Sequence, residues 1–222
     1  MIRHLIWDWN GTLFDDFAIT VEATDAIMRA RGFGGVTAGD YRLKYRRPIR
    51  AFYADLAGRA LTDEEWDAMD AEFHDRYEAR MRACSLAAGA LDLLSRWPVS
   101  GIAPRTQSLL SMWRHNRLTA LTAELGLTGH FVRIDGVTGP AGAAKADSLR
   151  RHLAALASAG YDLVPGQVAL IGDSLDDADA AASAGAACVL HTGGVDGAAA
   201  LARAGVPVVG CLAAAMDVVA GW

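Results

Sequence analysis

The 222-residue chain is poor in lysine and cysteine and has no long apolar run. Of its 21 basic residues only Lys44 and Lys145 are lysine, and 26 acidic residues leave a net charge of -5. That balance excludes broad electrostatic binding of nucleic acid. Cys84, Cys188 and Cys211 are odd in number and far apart. They form no metal or redox pair, and they suit reduced thiols in a cytoplasmic protein. No Leu/Ile/Val-rich stretch reaches the roughly 18 residues of a membrane span, and charges punctuate the Ala-rich segments. Arg3, His4 and Asp8 interrupt any secretory apolar region at the start. The six histidines lack zinc spacing, and there is no Gly-x-Ser-x-Gly elbow. Residues 139–145, GPAGAAK, resemble a phosphate loop only superficially, because no Gly precedes Lys145 and no Ser or Thr follows it.

What is present is apolar material in short pieces. Hydrophobic residues make up 52% of the chain, enough to bury a large core. His4–Trp7, Gln107–Leu110, Val132–Ile134 and Val168–Ile171 read as strands, with weaker candidates at Cys188–Leu190 and Val206–Val209. Between them, Leu118, Leu121 and Leu125 repeat at helical spacing before Gly126. Leu149, Leu153 and Leu156 do the same before Gly160, and Ala178–Ala184 runs into Gly185. Continuous apolar strands alternating with helices predict an α/β fold: a Rossmann-like, three-layer core around a parallel sheet.

Residues 15–84 break the rhythm with helices and no convincing strand. Thr62-Asp63-Glu64-Glu65 is a capping box, and Trp66, Met69, Phe73 and Tyr77 follow as one apolar stripe, read as core packing. The expected organisation is a core of residues 1–14 and 85–222 with an all-helical domain, 15–84, inserted after the first strand. Its hinges would lie near Phe14–Asp16 and Cys84–Gly89.

In an open parallel sheet, ligands sit beyond the carboxyl ends of the strands. Three predicted strands end in polar residues: the first in Asp8, the second in Ser111, the fourth in Gly172-Asp173-Ser174 with Asp177 four residues after Asp173. If these strands are neighbours, the carboxylates converge and favour a hard divalent cation, most simply Mg2+. Lys145 begins a helix before the fourth strand and can reach the same edge. Cation, ammonium and hydroxyl around a carboxylate form a site for a phosphoryl group.

LIWDWNGTL (5–13), SLLSM (108–112), Lys145 and IGDSLDDADAAASAG (171–185) resemble, in order, the four motifs of the haloacid dehalogenase superfamily. The resemblance covers nearly the whole chain, the helical insert being similar to that superfamily's type 1 cap. It implies Asp8 as nucleophile and metal ligand, the main-chain carbonyl of Asn10 as second ligand, and Asp173 as third with Asp177 in support. Ser111 would bind a phosphoryl oxygen, Lys145 would hold Asp8 and the phosphate charge, and Thr12 would lie beside the substrate.

The chain departs from the pattern at Asn10, where phosphatases of this superfamily usually carry an Asp that protonates the leaving group and activates water. An amide can do neither. Four readings follow: good leaving groups or slow turnover; another proton source, among His115, Asp15 and Asp16; deamidation of Asn10-Gly11; or loss of turnover in favour of phospho-ligand binding. Dehalogenases resemble the chain less. Phosphonate hydrolases, which use a cap Lys as a Schiff base, keep Lys44 as an option.

Arg42, Lys44, Arg46, Arg47 and Arg50 crowd YRLKYRRPIR (41–50) in an otherwise acidic chain. As a lid, with Arg46 and Arg47 binding substrate, they would recognise an anionic group beyond the phosphate through bidentate pairing. The expected activity is Mg2+-dependent hydrolysis of a small, phosphoglycolate-like phosphorylated metabolite through an aspartyl-phosphate on Asp8. The partners expected are that metabolite alone, without nucleic acid or membrane.

Overall fold

In a computed structural model, residues 1–99, 104–138 and 144–222 are described. The described residues form six strands: β1 His4–Trp7, β2 Thr106–Arg114, β3 Ile134–Val137, β4 Val168–Gly172, β5 Ala187–His191 and β6 Val208–Val209. They pair in parallel in the order β3-β2-β1-β4-β5-β6, so β1 is central, flanked by β2 and β4. Ten α-helices are described: α1 Phe17–Ala30, α2 Ala38–Lys44, α3 Ile49–Ala57, α4 Asp63–Met81, α5 Ala90–Arg96, α6 His115–Glu124, α7 Lys145–Ser158, α8 Leu175–Ser183, α9 Ala198–Leu201 and α10 Leu212–Ala220. None of them is long and apolar enough to cross a membrane.

Strand side chains alternate between two cores, as a period of two requires. Leu5, Trp7, Leu109, Ala169, Ile171 and Val189 pack one face with Leu94 of α5, Leu118 of α6 and Ala215 of α10. Ile6, Leu110, Leu170 and Leu190 pack the other with Leu149 of α7, Ala181 of α8 and Leu201 of α9. The sheet is therefore covered on both sides, which is why its strands read as unbroken apolar runs. A third core lies among α1–α4, around Ile27, Met28, Tyr41, Phe52, Tyr53 and Met69. The chain leaves and re-enters the sheet layer along paired segments: Asp15 N donates to Ser85 O at 3.0 Å and Ala87 N to Leu13 O at 2.9 Å.

Two strand ends differ from expectation. The second strand does not stop at Ser111. It runs on to Arg114 through a register shift against β3, because Trp113, buried beyond the polar Ser111, resumes the apolar pattern. The third strand lies later than Val132–Ile134, at Ile134–Val137, where Asp135 and Gly136 dilute the apolar signal. Its approach is already tied to β2, since Val132 N donates to Gln107 O at 2.9 Å. The first five residues of GPAGAAK lie outside the described residues.

Candidate active site

Asp8 follows the last residue of β1, its N–H donating to Ile171 O of β4 at 2.9 Å. The chain then turns tightly, Phe14 N donating to Trp9 O at 2.9 Å and the two rings stacking at 5.1 Å. Gly11 makes this turn possible: its φ is +71°, and a Cβ there would stand 2.8 Å from Asp173 Oδ2. Asp173 and Ser174 follow β4, and Asp177 lies in the first turn of α8.

These elements bring Asp8, Asp173 and Asp177 together, with one oxygen from each within 4.8 Å of the others. All three are buried. Lys145, at the first position of α7 and also buried, bonds Asp8 Oδ1 and Asp177 Oδ1 at once. Burial works to raise Asp177, but Lys145 and the Ser174 donors outweigh it and lower its pKa. Burial pushes Asp8 up while Lys145 pulls it back. Asp173, which has no direct ammonium partner, is driven well above the carboxylate range by burial and by the charges of Asp8 and Asp177. Burial opposes the charge on Lys145, but Asp177 and Asp8 hold its proton more firmly than usual.

Three buried carboxylates against one ammonium leave an excess of negative charge that a hard cation would offset, and the donors are all oxygen, so the set fits Mg2+. Asp173 is oriented by Val195 N at 2.7 Å and by the Thr12 hydroxyl at 3.1 Å. Thr12 is thus turned to Asp173, with His191 Nε2 on its oxygen at 3.3 Å. The loop that supplies Val195 sits so close that a Cβ on Gly194 would fall 1.8 Å from Asp173 Oδ2.

Asn10 is held on every polar atom of its side chain. Its amide nitrogen donates to Asp16 Oδ2 at 2.7 Å and to the Tyr77 hydroxyl at 2.9 Å, while its Oδ1 accepts from Ser111 Oγ at 3.2 Å. Tyr77 in turn donates to Asp16 Oδ2 at 2.5 Å. Gly11 N donates to Asp16 Oδ1 at 2.7 Å. Burial raises Asp16, and these donors oppose the rise. The spacing of Tyr77 predicts core packing alone. It does pack, at 3% exposed, but its hydroxyl carries α4 into the site. The available signal is the one hydroxyl in an apolar stripe.

The basic run divides. Arg47 bonds Asp176 of α8, and its charge is felt by Asp8 and Asp177. Arg42 donates to the carbonyls of Gly194 at 2.9 Å and Gly193 at 3.0 Å, its guanidinium 4.1 Å over the Phe17 ring. Arg46 instead pairs with Asp55, at 2.6 and 2.9 Å. Arg50 bonds Asp63 and the Leu61 carbonyl. Lys44 is exposed, its ammonium 3.4 Å from the Asp55 carbonyl. His115 also bonds away from the cluster: its Nδ1 accepts from Gly136 N at 3.2 Å, beside a cavity of about 600 Å3 that Arg133, Asp135 and Arg151 also line. Ser108, His152 and Asp135 line up at 2.7 Å each like a hydrolytic triad, but Ser108 is 0% exposed and its hydroxyl also meets His4. This set is a buried polar link between strands and α7, with no access to substrate.

The family model for haloacid dehalogenase-like hydrolases matches residues 2–185. The chain belongs to the haloacid dehalogenase-like hydrolases. No curated protein matches it. Solved structures share its fold at low identity. A predicted phosphatase from Clostridium acetobutylicum superposes with a TM-score of 0.81 at 15% identity, over 100% of both chains. A predicted phosphoglycolate phosphatase from Haemophilus somnus gives 0.76 at 16%, over 98% of each. A haloacid dehalogenase-like family protein from Streptococcus pneumoniae gives 0.75 at 20%, over 94% of this hydrolase and 93% of that chain.

Proposed function

We propose that this hydrolase is a cytoplasmic, Mg2+-dependent phosphatase that transfers the phosphoryl group of a small anionic metabolite to Asp8. The observation that carries the reading is the Asp8–Lys145–Asp177 contact, with Asp173 within 4.8 Å. It presents a buried carboxylate oxygen beside a fixed ammonium, and phosphoryl transfer is promoted chiefly by such positioning and charge. Asp8, Asp173 and the main-chain carbonyl of Asn10 would hold Mg2+, with Asp177 behind them. When bound, the ion supplies positive charge for the phosphoryl oxygens. Asp8 attacks phosphorus, Lys145 keeps Asp8 ionised and oriented, and Ser111 meets a phosphoryl oxygen when it turns from Asn10. The helices α1–α4 act as a cap. Arg47 is the cap residue best placed to read a second anionic group such as a carboxylate, and the predicted phosphoglycolate phosphatase among the similar folds makes substrates of that type reasonable. The three free cysteines suit a reducing compartment.

The exposed Lys44, bonded to a main-chain carbonyl, lends no support to Schiff-base chemistry on phosphonates. A second reading, a phospho-ligand binder with little or no turnover, is favoured by one observation: the Asn10 amide stands where a proton donor would be useful. The deciding experiment is Mg2+-dependent hydrolysis of an aryl phosphate by wild type and Asp8→Asn, with Mg2+ affinity measured by calorimetry on both. Turnover lost in Asp8→Asn supports the phosphatase. Binding of inorganic phosphate without turnover in wild type supports the binder.

A further inference from the structure

We infer that Asp8 accepts phosphoryl groups from donors whose leaving oxygen departs as a stable anion, such as aryl, enol or acyl phosphates, and that the phosphoryl group then lingers on Asp8. The inference rests on the proposed phosphoryl transfer to Asp8 and narrows its substrate. Phosphoglycolate itself, an alkyl ester, would react slowly.

The argument follows the protons around Asp8. Among the described residues, the hydroxyls and the ammonium around it are committed to a carboxylate or an amide oxygen. The Lys145 ammonium is shared between Asp8 and Asp177. The Thr12 hydroxyl donates to Asp173 at 3.1 Å, and that of Ser174 to Asp177 at 2.7 Å. The Ser111 hydroxyl donates to Asn10 Oδ1, and that of Tyr77 to Asp16. His191 Nδ1 accepts from Gly193 N at 3.1 Å, so its proton sits on Nε2, directed at the Thr12 oxygen. Asp16 receives three donors on its two oxygens, from Tyr77, Asn10 and Gly11. Its lone pairs are the acceptors of this cluster, buried under Asn10. Arg47 keeps its charge at any working pH. The one group between this cluster and Ser111 is the Asn10 amide, which has no proton to give.

The chemistry then balances without a side-chain acid. An Asp8 oxygen forms a bond to phosphorus as the bond from phosphorus to the leaving oxygen breaks. The electron pair goes with the leaving oxygen, which acquires a proton from water only after departure if it needs one. In the second step a water oxygen bonds to phosphorus and Asp8 is released with its electron pair. The water's proton passes to solvent or to the phosphate itself: among the described residues Asp16 already accepts from Tyr77, Asn10 and Gly11, and Asp8, Asp173 and Asp177 are the carboxylates that would face the cation and Lys145. A missing acid or base costs about 10²–10⁴ in rate in each step. The first step escapes that cost only when the leaving group is acidic. The second step escapes it never, so the phosphorylated chain accumulates.

The test uses the intact protein with Mg2+. Rapid-quench mass spectrometry follows phosphorylation by acetyl phosphate, by a series of aryl phosphates of rising leaving-group pKa, and by ethyl phosphate. Expected are a chain carrying one phosphoryl group with acetyl phosphate, a phosphorylation rate falling steeply along the aryl series, and ethyl phosphate slower by about 10²–10⁴. Asn10→Asp should flatten the series and shorten the lifetime of the phosphorylated chain. Ethyl and aryl phosphates reacting at similar rates in wild type overturn the inference and leave the phosphatase reading standing. No phosphoryl transfer to Asp8 from any donor overturns both.

Discussion

Replacing Lys145 by Met keeps most of the side-chain volume and removes one charge. The side chains of Lys145, Asp8 and Asp177 are 4%, 9% and 0% exposed, so water cannot replace the lost ammonium. Leaving buried carboxylates without their partner costs about 3–5 kcal/mol. For a chain of this length that lowers Tm by about 6–20 °C, at about 2–4 °C per kcal/mol. The loss depends on pH, and its sign follows from linkage. Burial, opposed by Lys145, holds the folded-state pKa of Asp8 above its unfolded value. A carboxyl raised in this way makes the folded state bind the proton more tightly than the unfolded chain does. The contribution of Asp8 to stability is therefore greatest at low pH and falls as pH climbs from the ordinary carboxylate range through the folded pKa. Without Lys145 the folded pKa rises further and the window of loss extends upward. The variant should lie closest to wild type near pH 5.5 and furthest from it near pH 8. Added Mg2+ should restore part of the deficit, about 2.7 kcal/mol when its concentration is 100 times its Kd. The assay is urea and thermal unfolding of both proteins at the two pH values, with and without Mg2+. A cost below about 1 kcal/mol at pH 8, or one equal at both pH values, would refute the reading of Lys145 as the buried counter-charge.

Arg47→Ala should cost under about 1 kcal/mol in unfolding experiments, because Arg47 and Asp176 are 36% and 31% exposed. It should raise KM for a carboxylated phosphate by about 10-fold or more, the worth of a hydrogen bond to a charged group, and leave KM for a plain aryl phosphate nearly unchanged. Equal KM values in variant and wild type for both substrates would remove Arg47 from substrate recognition. Asn10-Gly11 should resist deamidation in the folded chain, since Gly11 N, the atom that would attack the amide, is bonded to Asp16 Oδ1 at 2.7 Å and Phe14 O at 3.0 Å. Peptide mapping after long incubation should find conversion at Asn10 only in the urea-unfolded protein. Conversion at equal rates in both states would contradict these bonds.

The sheet and the acidic cluster were legible because they are written locally. Each strand buried on both faces appears as an apolar run, and the three carboxylates follow such runs within a few residues. Once a parallel sheet is inferred, the ends of neighbouring strands must coincide, which joins Asp8 to Asp173 and Asp177. Lys145 stood out by composition, as one of two lysines. Ser111 does bond Asn10, but its strand runs on to Arg114 rather than ending there.

The sequence alone thus determined the parallel α/β core, the helical segment after β1 and the identity of the residues that meet at the strand ends. It also posed the question of Asn10. Tertiary structure alone decided the answer to where that amide points. Tyr77 lies 67 residues from Asn10 and Ser111 lies 101 away, and no spacing rule connects them. It decided too which arginines of a dense basic run turn to the elements around the acidic cluster: Arg47 to Asp176, and Arg42 to the carbonyls of Gly193 and Gly194. Arg46 and Arg47 are neighbours of identical chemistry, yet one turns to Asp55 of α3 and the other to Asp176 of α8. Local patterning sets which residues an element offers, because burial on a sheet or helix repeats with the period of the backbone. The direction of a single polar side chain depends on what the rest of the fold sets opposite it, and that information is spread over the whole chain.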